Sequence, residues 1–238
     1  MSKLSRLSAI AGALMLASGF AFAGSVQYYF TANGVTEGAA QEASALFTFD
    51  SASQLRITLT DNVNPTGLIA SEVDGLQFTF AGAAPASLTL LSVTPASVIN
   101  CSQGVAPCPP GDGSTPFGWG STISGSGGAL GAGFNGSGFS FHPYGIVNQN
   151  YLASGISDPD FNPLLVGPVT FTFALTGLTF IPEVDSATFL FGAVPNRVVG
   201  VDPPVPAAVP EPQTLVLLGL GLLSAAFFVR RRDRAGTA

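Results

Sequence analysis

Two cysteines, one histidine and one tryptophan are the only residues of their kinds in 238, and they bound the chemistry open to this chain. The cysteines lie close together, in Cys101-Ser102-Gln103-Gly104-Val105-Ala106-Pro107-Cys108. Such a pair suits a disulfide in an oxidising compartment. A metal site is the sharper alternative, but the spacing is not C-x-x-C and His142 is distant in sequence. Nucleophilic hydrolysis needs a positioned Ser or Cys, a base and an orienting acid. The chain has no G-x-S-x-G, and His142 between Phe141 and Pro143 reads as a packed loop residue. Asp158, Asp160 and Glu183 offer a glycosidase-type carboxylate pair, yet sugar-stacking aromatics are scarce, with Trp119 the single tryptophan. Trp119 reads as a core anchor, with a sugar platform as the alternative. Asp158-Pro159-Asp160-Phe161-Asn162 supplies oxygens for Ca2+ but lacks the glycine and distal Glu of an EF-hand loop, so it reads as a turn. Gly131-Ala132-Gly133-Phe134-Asn135-Gly136 matches G-x-G-x-x-G, but its flanks are more glycine and serine, not a strand and a helix. No enzyme, cofactor or metal is expected.

The elements that must position these residues follow a period of two. Val169, Phe171, Phe173 and Leu175 alternate with Thr170, Thr172, Ala174 and Thr176. Leu76, Phe78 and Phe80 alternate with Gln77 and Thr79, and Ile57 and Leu59 with Arg56, Thr58 and Thr60. Weaker alternation covers Val26–Thr31, Leu46–Asp50, Ser87–Val93 and Thr188–Val194. Phe and Thr in alternation suit a pleated surface buried on one face and wet on the other. Turn formers at 61–67 and 158–163 punctuate these runs. The pattern predicts an all-β fold, an antiparallel β-sandwich of jelly-roll-like type. Val35–Ala45 is expected to form a short helical turn. Gly111–Gly138, with 11 glycines in 28 residues, is expected to be a long loop or glycine-rich edge segments.

The two ends carry a different signal. Lys3 and Arg6 precede an apolar run, Leu7–Phe20, and then Ala21-Phe22-Ala23. That is the three-part pattern of a secretory signal peptide spanning 1–23, cleaved between Ala23 and Gly24. At the other end Pro210-Glu211-Pro212 is followed by an apolar run, Thr214–Val229, and by Arg230, Arg231, Arg232 and Arg234. As a helix the run spans about 24 Å, short of the roughly 30 Å hydrocarbon core, a gap that snorkelling arginines can close. The arginines orient the C-terminus to the cytoplasm and place everything upstream outside. Triplet, short helix and basic terminus together resemble the PEP-CTERM sorting signal. The resemblance implies that exosortase, a membrane protease-transpeptidase, reads Pro210, Glu211 and Pro212 and removes the helix. It also implies a Gram-negative host that makes exopolysaccharide and biofilm. A plain tail anchor is the alternative.

The expected organisation is therefore a helical signal peptide at 1–23, a β-sandwich domain at 24–201, a Pro-rich linker at 202–213, a transmembrane helix at 214–229 and an Arg-rich cytoplasmic tail at 230–238. Five prolines among the 12 residues of the linker make a semi-rigid spacer of about 35 Å. Between the targeting segments the chain carries two arginines, no lysine and twelve acidic residues, a net charge of −10. That surface repels nucleic acid and anionic polysaccharide. Expected partners are signal peptidase, exosortase, the inner membrane in passing and exopolysaccharide. The expected function is that of an exosortase-sorted surface or matrix protein, structural or adhesive. The alternatives are a carbohydrate-binding, lectin-like module and a secreted hydrolase.

Overall fold

The computed structural model describes residues 25–36, 39–63, 71–104, 107–111, 118–133, 139–140, 143–151, 158–192 and 196–199. The signal peptide, linker, apolar tail and arginine cluster lie outside the described residues, and so does His142. Among the described residues no helix is long and apolar enough to cross a membrane.

The first strands are β1 (Val26–Thr36), β2 (Ala39–Ser51), β3 (Gln54–Asp61), β4 (Val73–Ala81), β5 (Ser87–Thr94) and β6 (Ser97–Ile99). After them come β7 (Gly120–Ser124), β8 (Gly127–Gly131), β9 (Ile146–Val147) and β10 (Leu164–Val166). The last three are β11 (Val169–Thr176), β12 (Glu183–Phe191) and β13 (Asn196–Val199). One sheet has the order β1-β2-β3-β11-β5. The other runs β13-β12-β4-β9-β10-β6, and the β7–β8 hairpin joins it through a β8–β4 pairing. All pairings are antiparallel except β9 with β10.

Alternation decides which face is buried. Tyr28, Phe47, Ile57, Phe171 and Val93 stand side by side across the first sheet, the first four of them in the core. In the second sheet Leu76 pairs with Phe189, Phe78 with Ala187 and Phe80 with Val184, all buried. The inner faces meet through edge-to-face rings, Phe47 on Phe78 at 5.2 Å and Phe49 on Phe80 at 6.5 Å. Such ring pairs add to the burial of their large apolar surfaces. The alternate residues face water. Thr58 and Thr170 hydroxyls join across strands at 3.0 Å, and Arg56 pairs with Asp50 at 2.7 Å on the exposed side.

Two sequence expectations are corrected or refined. Val35–Ala45 is not a helical turn: β1 continues to Thr36 and β2 begins at Ala39, pairing Val35 with Ala40 and Gly34 with Gln41. Alanine-rich sequence favours helix, but Ala39, Gln41, Ala43 and Ala45 are buried at period two, and that burial overrides propensity. The glycine-rich stretch holds an ordered hairpin, β7–β8, turning at Gly125 with φ +59. Its composition has a packing reason. Gly128 sits opposite Phe78, and a Cβ there would stand 2.5 Å from the Phe78 ring. Only glycine leaves the ring its space.

Candidate functional site

Cys101 and Cys108 form the expected disulfide, and Cys101 is fully buried in a small cluster with Val147, Tyr151, Leu164 and Val166. The Cys101 N–H donates to the Asn162 carboxamide oxygen at 2.7 Å, and the Asn162 amide donates to the Asp158 carbonyl at 2.8 Å. Asp158 in turn accepts the Asp160 N–H and caps a single turn of 3-10 helix, Pro159–Phe161. The Asp/Asn/Pro segment thus braces the disulfide loop, as a turn reading requires. Glu183 opens β12 and is exposed; after burial, its charge is what raises the Tyr28 hydroxyl pKa. Trp119 is in the core, tilted on Phe171 at 4.6 Å, with its indole N–H donated to the Tyr144 carbonyl at 2.8 Å. It has no free face for a sugar. Pro210, Glu211, Pro212, Arg230, Arg231, Arg232, Arg234, Ala21, Ala23 and Gly24 lie outside the described residues, as do the last three positions of the G-x-G-x-x-G stretch.

The structure also assembles three acids that the sequence reading passed over. Asp61 ends β3, while Glu72 and Asp74 flank the first residue of β4, and all three are buried, Asp74 with 0% exposure and Glu72 with 1%. They gather where β4 changes neighbours. Gly75 pairs with Gly131 of β8, whereas Val73 pairs with Ile146 of β9. On the other edge Leu190 pairs with Gly75 and Phe191 with Val73, which leaves Asp74 as the extra residue of a bulge. Bulges re-aim side chains in this way. The Asp74 carbonyl accepts the Ala132 N–H at 2.9 Å, but neither oxygen of its carboxylate has a hydrogen-bond partner, and neither does either oxygen of Glu72.

Both carboxylates converge on Gly145. A Cβ built there would lie 2.6 Å from Asp74 Oδ1 and 2.7 Å from Glu72 Oε2. Gly145 is itself fixed: its carbonyl accepts the Leu165 N–H at 2.9 Å, and the Tyr144 N–H before it donates to Pro163 at 2.8 Å. Tyr144 takes a positive φ of 76°, the conformation that delivers Gly145 to the carboxylates while its carbonyl meets Trp119.

The electrostatics follow from burial. Desolvation pushes the Asp61 carboxyl up to about 7, against the Val63 and Asn148 N–H groups and with a small push from Glu42. Burial holds Glu72 well above the ordinary range, reinforced by Asp61. Burial, then the Glu72 charge, does the same for Asp74, opposed by the nearby Gly192 N–H. Arg56 is exposed and occupied by Asp50, and no cationic side chain pairs with the carboxylate of Glu72 or Asp74. Burying three acids without a countercharge is costly.

No curated protein and no solved structure matches the chain. One family does match, at residues 208–232, and those residues contain the whole Pro-Glu-Pro triplet and three of the tail arginines. The chain therefore carries the PEP-CTERM protein-sorting motif near its C-terminus, the mark of an exosortase substrate.

Proposed function

We propose that this protein is exported with loss of residues 1–23, held in the inner membrane by its tail, and cut near Pro210-Glu211-Pro212 by exosortase. It then passes to the cell surface or extracellular matrix of a Gram-negative, exopolysaccharide- and biofilm-forming bacterium. There the β domain is a structural or adhesive component, not a catalyst. The PEP-CTERM match at 208–232 carries this reading. A disulfide in the domain and its lysine-free acidic composition support an extracytoplasmic destination.

The experiment separates a sorting signal from a plain anchor. An anchor needs only hydrophobicity and arginines, whereas a protease must read the triplet. Pro210→Ala with Pro212→Ala, or Glu211→Gln, leaves insertion intact and traps full-length protein in membranes of a host that has exosortase. Processing and release of these variants at the wild-type level would leave a plain tail anchor.

A second reading, a carbohydrate-binding module, draws on a groove of about 370 Å³ over β4, β7, β8 and β12. Gln77, Thr79, Thr122, Ser124, Ser186 and Thr188 line it with neutral hydroxyl and amide groups suited to sugar hydroxyls. Trp119 plays no part in it. Glycan-array binding abolished by Gln77→Ala with Thr188→Ala would favour this role.

A further inference from the structure

Four carboxylate oxygens without partners inside a core need an occupant, because buried polar groups in folded proteins are paired with protein, water or ion. Three kinds of occupant are available: a cationic side chain, a proton shared by the pair, or a bound cation. The first is not in place, since none of the four oxygens has a hydrogen-bond partner and Arg56 is exposed and paired with Asp50. The proton is weakened as an answer by the geometry. Asp74 and Glu72 do not hydrogen-bond each other or any donor; their oxygens instead face a common point above a glycine. Asp74 Oδ1 and Glu72 Oε2 lie 2.6 and 2.7 Å from the position a Gly145 Cβ would take, so they stand no more than about 5 Å apart, a gap that one Ca2+ can bridge. A side chain larger than hydrogen at position 145 would collide with both carboxylates.

We propose that Glu72 and Asp74 form a binding site for a hard divalent cation, Ca2+ above all, with Gly145 as its floor. The donor set selects the metal class: carboxylate oxygens without nitrogen or sulfur suit Ca2+, Mg2+ or Mn2+, not zinc or copper. Among the described residues no three His, Cys, Asp or Glu side chains converge as metal ligands. The remaining coordination falls to main-chain carbonyls and water, an irregular shell that Ca2+ accepts and Mg2+ resists. Asp61 is a neighbour and not a ligand, its Oδ1 being occupied by the Val63 N–H at 2.8 Å. The site ties the start of β4 to β9 and lies at the junction of β4, β8 and β9. A dication there joins elements far apart in sequence and cancels two buried charges. This inference stands apart from the sorting assignment, since it concerns the β domain alone.

The test uses the full chain purified in detergent, stripped with chelator, and titrated with CaCl2 or MgCl2 by calorimetry. One Ca2+ should bind per chain, at least tenfold tighter than Mg2+. Thermal unfolding should rise by roughly 5–10 °C at Ca2+ a hundred times its dissociation constant. The double variant Glu72→Gln, Asp74→Asn should lose the heat and the thermal shift. In chelator it should melt no lower than stripped wild type, because it removes buried charge, and this separates a lost site from a lost fold. Two results overturn the proposal: no Ca2+ heat or shift in wild type, which leaves a shared proton, or an undiminished Ca2+ response in the double variant, which puts the ion elsewhere.

Discussion

Asp61 is ordinary as a sequence letter and unusual as a folded group. Its carboxyl is pushed from 3.8 to about 7, and Glu72 and Asp74 are raised with it, burial being the first cause in each. A carboxyl raised on folding binds more protons in the native state than in the unfolded chain between those two values. Stability in chelator should therefore be full below the ordinary carboxylate pKa and fall as pH climbs from about 4 to about 7, Asp61 alone costing up to about 4 kcal/mol. Urea midpoints at pH 4.5 and pH 7.5 measure this, and Asp61→Asn should flatten part of the slope. Stability rising with pH across that interval would refute the burial account. These acids were hard to read from sequence. Asp61 lies in a stretch of turn formers, 61–67, and Glu72-Val73-Asp74-Gly75 merely precedes the apolar alternation of Leu76, Phe78 and Phe80. The available signal was two acids held in strand register beside a core strand. Their convergence is on Gly145, the residue before β9 and remote in sequence, and no local pattern contains it.

Strands repay local reading better, because a period of two is set by the pleat itself. Phe171 and Phe173 were legible as inward residues and are fully buried, while Thr170 and Thr172 are only half-buried. Phe171→Ala or Phe173→Ala should cost roughly 3–5 kcal/mol in urea unfolding, against about 1 kcal/mol or less for Thr170→Ala, which loses the hydroxyl contact to Thr58. Equal costs would contradict the one-face burial. The inner ends of β1 and β2 were missed, where alanines at 39, 40, 43 and 45 imitate helix composition, and β7–β8 reads as loop or edge segments because glycine hides strand propensity. In both cases the deciding partner is across the sheet. The disulfide belongs to this scale as well. Replacing Cys101 and Cys108 by serine should lower stability by about 2.5 kcal/mol without abolishing folding, since it closes only a short loop. Free thiols in exported protein, seen by non-reducing peptide mapping, would contradict it.

At the scale of the whole molecule, the ends direct the chain and the middle supplies what is delivered. The sorting signal was the most legible feature of all, because its three parts are contiguous and depend on no distant contact: a triplet, an apolar run and arginines, within or beside the matched residues 208–232. The acidic domain, two sheets closed over a phenylalanine-rich core, gives the delivered body. Processing at both ends is the claim on which the functional account rests. Intact-mass measurement of the protein released by a host that has exosortase tests it directly. The account predicts a chain that begins at Gly24 and lacks Leu215–Ala238. A released or surface protein whose mass still includes Leu215–Ala238 would contradict it.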